Sequence, residues 1–153
     1  MGGKIAILAV VILVLAGAYA YYISSGSYAL SLEARKLYEQ GDFDNAAMLA
    51  EQAYAENPYN RMAFTVLTQA KESQKWQKFI TMARGYMRKT LELTGKERIT
   101  AGDRNRIKLM AEVVMEDYKK LDPKNRMISD ELKAQAEDIH RQFVRLYDDV
   151  FRP

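Results

Sequence analysis

The sequence predicts an all-α protein: an apolar N-terminal helix that crosses a membrane, then short helical hairpins, then a closing helix. Three observations predict it. Residues Ile5 to Ile23 form an uncharged run of nineteen. Beyond that run, apolar residues recur at the three- and four-residue spacing of helices packed along one face. The 153-residue chain holds 3 Pro and 8 Gly, too few turn formers for an all-β protein. Its 28% charged and 48% hydrophobic residues are an ordinary globular balance, and the length suits one soluble domain. Cysteine is absent, which excludes disulfides, thiolate metal sites, a lipoprotein anchor and a catalytic thiol.

The first element reads IAILAVVILVLAGAYAYYI. As a helix it spans roughly 29 Å, about one hydrocarbon core. Its Ile, Leu and Val residues together favour insertion by about 3 to 5 kcal/mol, with no charge to oppose them. Tyr21 and Tyr22 fall where an interfacial aromatic belt sits. A buried core helix is disfavoured, because the run is apolar on every face. An alternative reading is a cleaved signal peptide with Ala18-Tyr19-Ala20 as its small-residue site, which leaves a soluble periplasmic adaptor. Residues 1–23 are thus expected to form an anchor and 24–27 a polar hinge. Lys4 precedes the run and the next charges are Glu33, Arg35 and Lys36, which favours a cytoplasmic N-terminus and an extracytoplasmic soluble domain.

Residues 28–40 place Ala29, Leu30 and Leu37 on one helical face, and Gly41-Asp42 ends that helix. A second helix over about 44–56 turns Ala46, Ala47, Leu49, Ala50, Ala53 and Tyr54 inward, and Asn57-Pro58-Tyr59-Asn60 breaks it. The stretch Tyr38-Glu39-Gln40-Gly41-Asp42-Phe43-Asp44-Asn45-Ala46-Ala47, followed by Ala50, Ala53 and Asn57-Pro58-Tyr59-Asn60, resembles one tetratricopeptide repeat. Residues 27–60 make the 34-residue unit that the family uses. By this resemblance Ala34, Ala46 and Ala53 are the small residues at close helix contacts, Gly41 is the turn and Pro58 the terminal proline. Glu33, Leu37 and Ala50 depart from the family pattern.

One such unit cannot bury its apolar face alone, so further units are expected within a 28–153 helical domain. Residues 28–60 are repeat one. Residues 61–94 read as a degenerate second copy: Met62, Ala63, Phe64, Val66, Leu67 and Ala70 in its first helix, Lys75-Trp76 at the turn, and Phe79, Ile80, Ala83, Met87 and Leu91 in its second. Residues 95–153 read as a third hairpin and cap. The six residues from Asn57 to Met62 recur as Asp122-Pro123-Lys124-Asn125-Arg126-Met127, 65 positions on, close to two repeat lengths. A fifth soluble helix is expected over about 103–120 with Ile107, Met110, Val114, Tyr118 and Leu121 inward. Ser129 and Asp130 look like the N-cap of the last helix. There Leu132, Ala136, Ile139, Phe143, Leu146 and Val150 step by 4, 3, 4, 3, 4, the spacing of a helix laid on another helix. This face either caps the last hairpin or receives a partner.

The residues offer no catalytic set. His140 is the only histidine and has no second ligand or nucleophile at a working spacing. Asp148 and Asp149 are adjacent on a helix and point apart. No Gly-rich phosphate loop occurs. The expectation is a non-enzymatic chain without cofactor or metal. Net charge is −3 over residues 24–74, +7 over 75–126 and −2 over 127–153. The basic middle supports a second reading, a peripheral sensor that binds anionic lipid through residues 75–126. Arg104, Arg106 and Lys108 cluster there without the interleaved aromatics of a nucleic-acid site, so neither nucleic acid nor a small-molecule substrate is expected. Resemblance to tetratricopeptide repeats implies a groove, lined by the first helix of each hairpin, that holds a partner protein's peptide or helix. Its candidate residues are Ser31, Arg35, Tyr38, Thr65, Thr68 and Gln69. A second candidate face is Leu132, Ile139, Phe143, Leu146 and Val150. Family analogy extends the role to an adaptor or scaffold on the membrane, in an envelope machine such as a flagellar motor, pilus or secretion apparatus.

Overall fold

Gly41, two Asn/Asp-Pro turns and a loop over residues 95–100 separate the helices of residues 26–151. The computed structural model describes the backbone of residues 2–23 and 26–151 and the side chains of 7–21 and 26–151. Among these described residues there are six helices and no strand: α1 (Gly2–Ile23), α2 (Gly26–Glu39), α3 (Phe43–Glu56), α4 (Arg61–Thr94), α5 (Ala101–Lys119) and α6 (Asp130–Phe151). The chain divides into two compact units, Met1–Lys71 and Glu72–Pro153, and α4 contributes residues to both.

Every side chain from Ile7 to Tyr21 on α1 is exposed. Among the described residues no single helix is long and apolar enough to cross a membrane; Ile7–Tyr21 and Gly26–Glu39 meet that criterion only as a pair, bent by 58°. Lys4, Ile5 and Tyr22 have side chains outside the described residues, as do Ser24 and Ser25 of the expected hinge. The other half of that hinge is helical. Gly26 begins α2, and Ser27 is buried, its hydroxyl donating to the Ala53 carbonyl at 2.7 Å.

In the first unit α2 and α3 form a hairpin. Gly41 turns it with φ 81°, a left-handed conformation that an L side chain adopts only at a cost of about 1–2 kcal/mol. Asp42 then caps α3, its carboxylate accepting from the Asn45 N–H at 3.2 Å. Small side chains let the helices approach: Ala34, Ala46, Ala50 and Ala53 are wholly buried. Ala34 and Ala50 meet Val66 of α4, and Ala46 and Ala47 meet Ala70. Ala29, expected on the inward face of α2, is exposed; Ser27, Ser31 and Ala34 hold that face.

The expected turn at Lys75-Trp76 does not form. Helix α4 runs unbroken for 34 residues, so residues 61–94 are one helix and not a hairpin. Residues 70–78 contain neither Gly nor Pro, and nothing there supplies the left-handed residue that turns the first hairpin at Gly41. Trp76 is instead buried in the core of the second unit with Phe79, Ile80 and Ala83 of the same helix.

In that unit α4 packs with α5 and α6 through Ala111, Val114, Ala136, Ile139 and Phe143. Helix α5 opens on a capping box: Thr100 Oγ1 accepts from the Asp103 N–H (3.1 Å), and Asp103 Oδ2 accepts from the Thr100 N–H (3.2 Å). Asp103 also takes Lys96 Nζ at 3.1 Å, and these hydrogen bonds, Thr100 foremost, hold its carboxyl below the usual range. Ser129 caps α6, accepting from the Leu132 N–H at 3.3 Å. The repeated hexapeptide builds the same turn twice. Asn57 Oδ1 accepts from the Tyr59 N–H (3.0 Å) and Asp122 Oδ1 from the Lys124 N–H (2.9 Å). Asn60 goes on to start a helix, whereas Asn125 does not, and α6 begins five residues after it.

Candidate functional site

Residues of α2 and α4 line a surface cleft of about 490 Å³ in the first unit. Four of the six groove candidates line it: Arg35 and Tyr38 from α2, Thr65 and Gln69 from α4. Glu39, Arg61, Met62 and Val66 complete its walls. Helical spacing explains the set. Arg35, Tyr38 and Glu39 lie three and four apart on one stripe, as do Arg61, Met62, Thr65, Val66 and Gln69 on the other. Those spacings, counted back from Thr65 and forward from Arg35, would have added Arg61 and Glu39 to the expected set.

The cleft is polar at its rim and apolar below. Val66 is buried against Ala34 and Ala50, while Tyr38 and Met62 pack partly on the same cluster. The Tyr38 ring also meets Phe43 at a centroid distance of 5.3 Å. At the rim, Arg35 Nε donates to Glu39 Oε1 at 2.9 Å, with both side chains more than half exposed. An ion pair so exposed contributes little to stability. The Thr65 hydroxyl donates to the Arg61 carbonyl one turn back, so it presents only lone pairs to a ligand.

Two candidates lie elsewhere. Ser31 is fully buried, its hydroxyl donating to the Tyr28 carbonyl at 2.8 Å and accepting from Asn60 Nδ2 at 3.3 Å. Thr68 donates to the Phe64 carbonyl at 2.9 Å and is not part of the cleft wall. Asn60, which sequence reasoning treated only as a helix breaker, organises this corner. Its Oδ1 accepts from the Ala63 N–H at 3.1 Å, capping α4, and its Nδ2 donates to Ser27 Oγ and O at 2.9 and 3.1 Å. That network fixes the start of α4 against α2, and so positions both walls of the cleft.

The second candidate face is largely occupied by the chain itself. Ile139 and Phe143 are buried in the core of the second unit, and Leu132 and Leu146 pack against it; only Val150 is exposed. Ile139 also borders a groove of about 410 Å³ with Met87, Arg88 and Leu91. His140 stacks on Tyr118 with centroids 4.0 Å apart and rings 12° from parallel. Burial there pushes its imidazole below the ordinary range, with Lys119 adding to the effect and Glu137 opposing it. Burial likewise raises the Tyr118 phenol. Among the described residues no three His, Cys, Asp or Glu side chains gather as a metal site.

No protein-family model, curated protein or solved structure matches this chain.

Proposed function

We propose that the chain is a non-enzymatic adaptor held at a membrane by α1, which captures a segment of a partner protein in the cleft between α2 and α4. The observation that carries this reading is the cleft itself. Its polar rim and apolar floor come from the first helix of a hairpin and the helix that follows, the arrangement by which tetratricopeptide-like units hold peptides. The first unit resembles such a repeat at Gly41, Ala46, Ala53 and Pro58; the unbroken α4 confines the resemblance to that single hairpin. An apolar helix exposed on every side has no reason to persist in water, and a bilayer supplies the missing solvent. Lys4 ahead of it, with no charge between Ile5 and Leu32, orients the folded units to the extracytoplasmic side.

A photo-crosslinking residue placed at Gln69 in the full chain, irradiated in native membranes, tests the reading. It is expected to give a discrete adduct with one partner, while the same residue at exposed Lys78 gives none. Equal labelling from both positions, or recovery of the chain in the soluble fraction after alkaline extraction, contradicts it.

A further inference from the structure

Arg61 and Thr65 stand one helical turn apart on a ridge of α4 and line two concavities at once. One is the α2–α4 cleft. The other, of about 500 Å³, is walled by Tyr54, Pro58, Tyr59 and Phe64. Tyr54 and Phe64 meet at 5.8 Å between ring centroids. Tyr59 is 91% exposed and Phe64 56%. The unit does not need these rings for its own core, since α4 packs here through Ala63, Val66 and Ala70. One exposed aromatic is ordinary; three converging on one concavity beside an arginine form the residue set in which binding energy concentrates.

The two arginines differ in what they have left to offer. Arg35 is already paired with Glu39. Among the described residues Arg61 has neither an ion-pair partner nor a side-chain hydrogen bond. Arg61 is thus the cation left open in the wall of both concavities, and a carboxylate is its complementary partner.

We infer that the ridge binds a partner protein segment in which a carboxylate side chain lies next to a bulky apolar one: the carboxylate pairs with the Arg61 guanidinium, and the apolar side chain enters the concavity of Tyr54, Tyr59 and Phe64. This rests on the cleft reading above and goes beyond it, assigning recognition of the acid to Arg61 instead of Arg35 and extending the surface across α4. A guanidinium fits a carboxylate through two parallel N–H donors, so a lysine is a poor substitute.

Random dodecapeptides displayed on phage and selected on the full-length chain in detergent micelles provide the test. Binding of the selected peptides is measured by fluorescence anisotropy to wild type, Arg61→Gln, Phe64→Ser, Arg35→Gln and Gln69→Ala. The expected peptides carry Asp or Glu within two positions of Phe, Tyr, Trp or Leu. Their affinity should fall about tenfold or more in Arg61→Gln and in Phe64→Ser, and less than about twofold in Arg35→Gln. Added salt should weaken binding to wild type much more than to Arg61→Gln. Peptides that lack acids, or bind Arg61→Gln as tightly as wild type, overturn the inference; if Arg35→Gln or Gln69→Ala weakens them, the cleft reading stands. Peptides indifferent to all four substitutions overturn both. Failure to select any peptide, together with Arg61-dependent binding to phosphatidylserine vesicles, overturns the inference in favour of a lipid.

Discussion

Asn60 sits where only an amide fits. Its acceptor oxygen caps α4, while its two N–H donors meet Ser27 and Ser31, whose hydroxyl protons are already directed to the carbonyls of Ala53 and Tyr28. The site therefore offers residue 60 acceptors on one side and a donor on the other. Asn60→Ala should lower stability by about 2–3 kcal/mol, the sum of a lost cap and buried groups left unpaired. Asn60→Asp keeps the cap but turns an oxygen towards oxygens, and is expected to be at least as harmful. Thermal melts followed by circular dichroism separate the cases; full rescue by Asp would reduce Asn60 to a simple cap. The sequence displays Asn60 as a helix breaker but conceals its donors' targets, because Ser27 and Ser31 lie 33 and 29 residues away. The same distance explains why Ser31 reads as a groove residue: a buried serine and an exposed one look alike until the partner is known. His140 is a second case at this scale. Its folded pKa is lowered, so the unfolded chain takes up the proton first as pH falls through about 6.5. The stability contributed by the neutral ring against Tyr118 is intact above that pH and lost as pH falls towards the folded value. Between about pH 7.5 and 5.5 the melting temperature of His140→Gln should decline less than that of wild type. Parallel curves would mean that the stacked ring titrates as it does in the unfolded chain.

Among the elements, the α2–α3 hairpin was the most legible. Each of its structural devices is a residue type with one use at that position: Gly41 for positive φ, Asp42 for the cap, and Ala34, Ala46 and Ala53 for close approach. Helix α4 was misread because a 34-residue repeat length was laid over a stretch that contains no turn chemistry. Periodicity alone does not distinguish one long helix from two short ones in line, since apolar residues continue at helical spacing through both. Lys75→Pro decides between the two. Lys75 is exposed, so its side chain contributes little, yet proline inside an unbroken helix removes a hydrogen bond and clashes with the preceding turn. A loss of about 3 kcal/mol or more is expected. Stability within about 0.5 kcal/mol of wild type would restore the turn and the second hairpin. The closing helix was legible in its apolar spacing, which allowed either a cap on the preceding helices or a partner face, and its burial agrees with the cap. Phe143 is wholly buried in the second unit's own core, so the spacing there marks packing within the chain.

For the whole molecule, an adaptor needs a tether and a surface, and the chain supplies a candidate for each. The proposed tether rests on the nineteen uncharged residues from Ile5 to Ile23. The surface was half readable. The resemblance to a repeat named Arg35, Tyr38, Thr65 and Gln69, which line one cleft, but the concavity beyond Arg61 depends on how the Asn57-Pro58 turn projects Tyr59, which no periodicity encodes. Crosslinking mass spectrometry on native membranes with a lysine-reactive reagent tests the central claim most directly, because it locates the partner without presuming its identity. Lys36 follows the cleft residue Arg35 on α2, and Lys71 lies two residues past Gln69 on α4, paired with Glu51 of α3, whereas Lys89, Lys108 and Lys133 lie in the second unit. Adaptor binding through the first unit predicts that intermolecular links to one recurrent protein concentrate at Lys36 and Lys71. Links confined to Lys89, Lys108 or Lys133, with none at Lys36 or Lys71, would contradict it.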